Sequence, residues 1–139
     1  MRPWTLRDYF PETGGCPIRE WYARQDAAVQ ANFDATVNIL RATDDWTASE
    51  VKEFKLLSAA HAGLAEIVFD VEVRKAGARK VSKRKFRPVG VFRPEEREFI
   101  FLLGCEKSGR IYIPSDAFEK ALKLKAAFEK GLGAIDDHI

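Results

Sequence analysis

A dense run of positive charge is the feature of this sequence that points most directly to chemistry. Eight basic residues and no acidic residue lie between positions 74 and 87. They are Arg74, Lys75, Arg79, Lys80, Lys83, Arg84, Lys85 and Arg87. Such a run attracts polyanions, of which nucleic acid is the usual one. We therefore expect RNA contacts from Lys80, Lys83, Arg84 and Lys85; the alternative is a solvated hairpin tip.

The charge of the whole chain is unevenly distributed. Residues 1–73 carry 7 Lys/Arg against 12 Asp/Glu, whereas residues 74–139 carry 16 against 9. The overall net charge of +2 conceals this difference. A basic second half fits a protein that meets a polyanion on one face.

The residue types give little support for a hydrolase of an ordinary triad or metal type. The chain lacks a glycine-rich phosphate loop and a Gly-x-Ser-x-Gly motif. Its two histidines, His61 and His138, have no metal partner nearby in sequence, and we expect both to be structural or bystander residues. Cys105 ends an apolar segment and fits a small core residue better than a nucleophile. We expect no metal and no cofactor.

Length and composition are those of a globular protein of one domain. The 139 residues are 46% hydrophobic and 32% charged, which excludes a disordered chain and a membrane protein. The longest apolar run, residues 99–103, is far too short to cross a bilayer. The N-terminus has no apolar stretch typical of a signal peptide. We expect a cytoplasmic protein without a membrane partner.

Apolar residues at helical spacing predict three helices. The first covers about residues 17–40. A shorter helix, capped by Thr47 or Ser49, runs through residues 51–57. The last begins after Ser115 and ends near Gly131.

The middle of the chain has the alternation of β-strands. Residues 67–73 alternate between apolar and polar side chains, and residues 86–92 form a second candidate strand. Residues 98–105 are the most apolar strand and should be central in the sheet. Residues 110–113 fit a short edge strand, and residues 75–85 fit a protruding basic hairpin.

Helices followed by closely spaced strands favour the α+β class. We predict a small antiparallel sheet packed against two N-terminal helices, with a C-terminal helix. One domain spans residues 1–139, in which residues 1–16 form an N-terminal extension or strand and residues 131–139 a flexible tail.

Several segments also occur in an order typical of one known family. Residues 17–21 read P-I-R-E-W, residues 51–57 V-K-E-F-K-L-L, residues 63–67 G-L-A-E-I, residues 86–92 F-R-P-V-G-V-F, residues 99–104 F-I-F-L-L-G, and residues 114–123 P-S-D-A-F-E-K-A-L-K. Over about residues 17–130 this ordered set resembles the RelE/ParE toxin superfamily, in its HigB-like, phage-associated branch. The chain departs from the family at Gly104, where the family has histidine, and at Ala65, where it has tryptophan.

The resemblance implies a RelE-like fold and a set of site residues. Arg87 matches the family's catalytic strand arginine, and Lys107 and Arg110 fall near its pair of lysines. Lys55 matches a basic residue before the second strand and is expected to bind RNA. Glu66 matches a carboxylate that contributes to acid–base work in some members; burial against cations of the first helix is the alternative.

The reaction implied is metal-independent cleavage of mRNA on translating ribosomes, by attack of a 2′-hydroxyl on the adjacent phosphate. It needs a base, an acid and positive charge around the phosphate, and arginine and lysine clusters can supply the charge. Tyr112 could stack on a base or donate a proton. The expected catalytic residues are Arg87, Lys107, Arg110 and Tyr112, with Arg87 on an open face where it contributes little packing.

The implied biological role is the toxin of a type II toxin–antitoxin pair, with a helix-turn-helix antitoxin, mRNA and the ribosome as partners. One alternative is a catalytically inactive binding module on the toxin fold, or an inhibitor of a protein target such as gyrase. A phage structural or DNA-associated protein is another. Convergence of Arg87, Lys107 and Arg110 on one face would favour the ribonuclease.

Overall fold

Three helices and ten strands are present in the computed structural model, which describes residues 3–74, 76–77 and 79–138. The helices are α1 (Pro17–Ala23), α2 (Ala27–Arg41) and α3 (Ala117–Glu129). The strands are β1 (Thr5–Phe10), β2 (Phe54–Leu56), β3 (Ala65–Ile67), β4 (Phe69–Val73), β5 (Ser82–Phe86), β6 (Val89–Arg93), β7 (Glu98–Leu103), β8 (Glu106–Ser108), β9 (Ile111–Ile113) and β10 (Ala134–Asp137). Within the described ranges, no helix has the length and apolar character needed to cross a membrane.

The strands form two sheets, so the predicted small antiparallel sheet is wrong. Six strands pair in the order β10-β1-β7-β6-β3-β2, and four in the order β4-β5-β8-β9. The larger sheet is mixed, because β1 runs parallel to β7 while its other pairs are antiparallel. Short connections predicted antiparallel pairing between neighbours in sequence, but β1 and β7 are far apart in the chain and no loop length fixes their direction.

Helices cover both faces of the larger sheet, which differs from the predicted packing on two N-terminal helices. The reason lies in β7, which is central as predicted and buried along its whole length. Phe99 and Phe101 face the cluster that includes α1 and α2, whereas Ile100 and Leu102 face the cluster beneath α3. A strand with apolar side chains on both faces needs a cover on both faces.

The N-terminal helical pattern divides differently from the prediction. The predicted helix over 17–40 is two helices, since Asp26 interrupts it and accepts a hydrogen bond from the Val29 N–H as the N-cap of α2. The predicted helix through 51–57 is wrong, because Phe54–Leu56 forms β2 and pairs with β3. The last helix begins as expected, although its N-cap is Asp116 instead of Ser115.

Two predicted strands are each divided where the chain passes from one sheet to the other. The strand over 67–73 splits at Val68 into β3 of the larger sheet and β4 of the smaller one. The strand over 86–92 splits at Arg87 and Pro88 into β5 and β6. The predicted basic hairpin is confirmed as the antiparallel β4–β5 pair, although positions 75 and 78 lie outside the described residues.

The C-terminal residues form a strand instead of the predicted flexible tail. β10 pairs with β1, and His138 follows it. His138 Nδ1 lies 2.7 Å from Oδ1 of Asp8, a carboxylate that is 1% exposed and also accepts from Arg19 Nε at 2.8 Å. Because a buried carboxylate must be paired, these contacts anchor the segment. His138 therefore has a structural role.

Candidate active site

The candidate site lies where three strands leave the larger sheet and enter the smaller one. We call this place the seam and define it by Val68, Arg87–Pro88 and Gly104–Cys105. Backbone hydrogen bonds join the three points at which the chain passes between the sheets, which we call crossings. The Arg87 N–H donates to the Cys105 carbonyl at 2.8 Å, and the Ile67 N–H donates to the Pro88 carbonyl at 2.8 Å. Side chains from several strands are thereby brought to one point.

Glu66, the residue before the first crossing, is an enclosed carboxylate at the centre of the site. It is 1% exposed, and Arg87 Nε lies 4.0 Å from its Oε1. The Tyr112 hydroxyl donates to its Oε2 over a long 3.5 Å. Burial raises the pKa of the Glu66 carboxyl, and the charges of Arg87, Lys55 and Lys107 oppose that rise. The carboxylate is therefore surrounded by cations from other strands and not, as one alternative had it, by those of the first helix.

Arg87 holds the seam together, so the expectation of an open-face arginine with little packing is wrong. Its side chain is only 10% exposed. Nη1 donates to the Phe86 carbonyl at 2.7 Å, to the Phe69 carbonyl at 3.2 Å and to Asp70 Oδ1 at 3.3 Å. The two carbonyls belong to β4 and β5 at the point where those strands enter the smaller sheet. One guanidinium thus donates to backbone carbonyls of both strands at the crossing.

A row of polar side chains crosses the face of the smaller sheet beside Glu66. Asp70 in β4 is opposite Lys85 in β5, Lys85 is opposite Lys107 in β8, and Lys107 is opposite Tyr112 in β9. Directly opposed residues point to the same side of a sheet. The other side carries Phe69 and Phe86, which stack in the core. We call the side with the polar row the open face.

Tyr112 links the open face to the enclosed carboxylate. Its ring packs edge-on against Phe118 of α3, and Lys107 Nζ lies 5.5 Å from the ring centroid. Burial, followed by the charge of Glu66, raises the pKa of Tyr112 to about 12. The phenol is therefore protonated at neutral pH and directs its proton to Glu66. His61 stacks on Phe118 as well, with ring centroids 4.4 Å apart.

The structure brings together several residues that the sequence selected. Arg87, Lys107 and Tyr112 surround Glu66, and Lys55 lies opposite Glu66 in the β2–β3 pair. Arg110 lies instead at the exposed tip of the β8–β9 hairpin. The expected convergence of Arg87, Lys107 and Arg110 therefore holds for the first two residues.

The expected RNA-binding residues of β5 are divided between the two faces of the sheet. Lys83 and Lys85 alternate with Arg84, whose guanidinium forms two hydrogen bonds to Glu106 and lies over the Phe86 ring. Arg84 is therefore a packing residue on the helix side. Lys80 is exposed in the connection before β5. The register of the sheet assigns these cations to opposite faces, and a count of charges along the chain could not have made that assignment.

The motifs marked Glu66 only as a carboxylate that contributes to acid–base work in some family members, and His61 was expected to be a structural or bystander residue. The signal for Glu66 was a single carboxylate within the apolar segment 64–69, since an acidic residue is rarely fully buried without a partner. Nothing in the sequence indicates that His61 lies near Tyr112, because the ring that contacts both, Phe118, is more than 50 residues from His61 in the chain.

Neither cysteine nor metal chemistry has support at the seam. Cys105 is fully buried, and its thiol donates to the Arg87 carbonyl at 3.0 Å. Burial raises the pKa of Cys105 to about 12, so the thiol stays protonated and non-nucleophilic. In the part of the chain that the structure describes, no three His, Cys, Asp or Glu side chains are grouped as metal ligands.

No protein-family model, curated protein or solved structure matches the chain. Position 104 of the seam has room only for glycine. A Cβ atom there would lie 2.1 Å from Cδ2 of Trp21. Trp21 of α1 packs against the seam through this gap.

Removing the Arg87 side chain should destabilise the fold. Arg87→Ala should lower the free energy of unfolding by about 3 kcal/mol, because the buried Glu66 loses its nearest cation. Arg110→Ala, at an exposed tip, should change it by less than about 0.5 kcal/mol. Adding Glu66→Gln to Arg87→Ala should recover part of the loss, as measured by chemical denaturation. Equal stability of the two alanine variants would contradict the assigned role of Arg87.

The raised pKa of Glu66 predicts a specific pH dependence of stability. Between the ordinary glutamate pKa of 4.5 and the higher value in the folded protein, the folded state binds more protons than the unfolded state. Stability due to Glu66 is therefore present at low pH and is lost as the pH rises through that window. The free energy of unfolding of the wild type, minus that of Glu66→Gln, should fall across it. Glu119→Gln, at an exposed position of α3, supplies the baseline, and a difference that rises with pH would contradict the prediction.

Proposed function

We propose that the protein is a metal-independent endoribonuclease that cleaves mRNA on translating ribosomes, and that it is the toxin of a type II toxin–antitoxin pair in the cytoplasm. The observation that carries this proposal is the position of Tyr112. Its hydroxyl lies between the enclosed Glu66 carboxylate and a face that presents Lys85 and Lys107. A proton acceptor, a proton carrier and phosphate-binding cations are therefore adjacent, as cleavage by a 2′-hydroxyl requires.

The chemistry follows from the burial of Glu66. A carboxylate that is 1% exposed cannot touch a ribose and can act only through the Tyr112 hydroxyl. In the proposed step, Tyr112 oxygen takes the proton of the 2′-hydroxyl while the phenolic proton passes to Glu66. The 2′-oxygen bonds to phosphorus as the bond from phosphorus to the 5′-oxygen breaks. Lys107 protonates the departing 5′-oxygen, which leaves a 2′,3′-cyclic phosphate and a 5′-hydroxyl.

Arg87 acts in this scheme as a positioning residue. Its Nη1 is occupied by two carbonyls and Asp70, and its charge lies beside Glu66. It therefore fixes the seam and helps to keep Glu66 ionised, ready to receive a proton. This assignment replaces direct contact between Arg87 and the phosphate.

Binding of the RNA strand is assigned to cations outside the cluster. Lys80 and Lys83 belong to the β4–β5 hairpin and its connection, and Arg110 extends the positive surface at the next hairpin tip. Cations of this kind contact phosphates without reading sequence, and they make binding sensitive to salt. The same surface suits ribosomal RNA, and an acidic antitoxin segment could neutralise it.

A non-catalytic binding module is the second candidate, and the engagement of Arg87 favours it. The Arg87 side chain is only 10% exposed and its Nη1 is bonded to the protein itself, so the guanidinium has little access to a bound phosphate. In this alternative the open face binds RNA, or a protein target such as gyrase, without cleavage. The two candidates differ in what the Tyr112 hydroxyl does.

Replacing Tyr112 by phenylalanine tests the proposed function. Tyr112→Phe should lower the rate of mRNA cleavage in a translation reaction by roughly a hundredfold, because the proton path to Glu66 is lost. Its affinity for an uncleavable 2′-O-methyl RNA should be unchanged. Expression of the wild-type chain should slow bacterial growth and create new 5′ ends in messages, and Tyr112→Phe should do neither.

Tyr22→Phe is the matched control. Tyr22 also donates its hydroxyl to a carboxylate, Asp34, at 2.8 Å, but it lies on α1 away from the seam. This variant should cleave like the wild type. Full activity of Tyr112→Phe would refute the catalytic role of its hydroxyl, and a harmless wild-type chain that creates no new 5′ ends would favour the binding module.

A further inference from the structure

Two lysines stand directly opposite each other on the open face. Lys85 in β5 and Lys107 in β8 are register partners, so their side chains leave the sheet on the same side, in neighbouring strands. Like charges in directly opposed positions destabilise a sheet. The arrangement therefore carries a cost that an anion between the two ammonium groups would remove.

The two carboxylates directly beside the pair, Glu106 and Asp70, are engaged by other cations. Glu106, next to Lys107 in β8, points to the opposite side of the sheet and binds Arg84 through both oxygens. Asp70, opposite Lys85 on the β4 side, accepts from Arg87 Nη1 at 3.3 Å. Among the described residues, neither Lys85 nor Lys107 has a carboxylate oxygen within 4.0 Å of its ammonium nitrogen. Neither lysine therefore forms an ion pair with a carboxylate of the described residues, and the nearby negative charge that acts on Lys107 is that of the enclosed Glu66.

We infer that Lys85 and Lys107 together form a binding site for one phosphate group, and that its ligand is a phosphodiester of single-stranded RNA. Lys107 is also opposite Tyr112 in β9, so a phosphate held by both lysines lies next to the phenol. The inference rests on the proposed function, which it deepens by assigning the two lysines to the same phosphate. It also gives Lys85 a role in the site that its position in a run of eight cations did not distinguish.

A double-mutant cycle tests whether the lysines share one phosphate. Lys85→Gln, Lys107→Gln and the double variant are compared for affinity to a 2′-O-methyl RNA oligonucleotide, which binds but cannot be cleaved. If both lysines hold one phosphate, each single change should weaken binding about fivefold to tenfold, and the double change should add little. The salt dependence should lose the slope of one phosphate contact, not two. Lys80→Gln and Lys83→Gln, at separate positions of the hairpin, form the control pair, and their effects should add.

Thermal unfolding tests whether Lys85 and Lys107 repel each other in the RNA-free protein. Lys85→Gln should raise the melting temperature of the RNA-free protein, since it removes a like-charge neighbour of Lys107. Millimolar inorganic phosphate should remove most of that difference if a free ion binds equally well. If only the oligonucleotide removes the difference in melting temperature, other contacts with the RNA supply the binding affinity.

Two results would overturn the inference. Additive losses in the double variant would assign the lysines to different phosphates, and unchanged affinity in both single variants would show that no phosphate binds there. The outcome is separable from that of the proposed function. A non-additive cycle in a protein that never cleaves RNA would retain the phosphate site and reject the nuclease. Additive losses of affinity in a protein that does cleave RNA would reject the shared phosphate site and retain the nuclease.

Discussion

Burial of one carboxylate at the meeting point of two sheets is the constraint on which the rest of this structure depends. Transfer of an ionised carboxylate from water costs several kcal/mol unless cations and donors replace the lost hydration. Glu66 obtains them from strands that are distant in sequence: Lys55 from β2, Arg87 from the seam, Lys107 from β8 and Tyr112 from β9. The contacts that stabilise the charge also assemble the candidate site, so fold and chemistry are coupled here.

The seam explains why the two sides of the smaller sheet differ. On one side Phe69 and Phe86 stack within the core and Arg84 pairs with Glu106. On the other side the polar row leaves Lys85 and Lys107 uncovered. A sheet that is closed by apolar packing on one face and lysine-rich on the other can bind a polyanion without losing its core. The proposed nuclease and the phosphate site both follow from this asymmetry.

Sequence patterns predicted the features that depend on neighbouring residues, but they failed where distant residues decide. The apolar run of β7 and the β4–β5 hairpin follow from local composition. The division into two sheets does not, because it depends on crossings at Val68, at Arg87–Pro88 and at Gly104–Cys105 that meet only in the folded chain. At the site, the structure places both Arg87 and Lys107, which motif resemblance selected, near Glu66. Burial gives Arg87 a positioning role that spacing could not reveal.

The chemical identity of the RNA ends tests the account most directly. Messages recovered from cells or translation reactions containing the wild-type chain should acquire fragments that end in a 2′,3′-cyclic phosphate and begin with a 5′-hydroxyl. That pair of ends requires attack by the 2′-oxygen, which is the step that Tyr112 and Glu66 are proposed to assist. Fragments with a 3′-hydroxyl and a 5′-phosphate, or no new fragments at all, would contradict it.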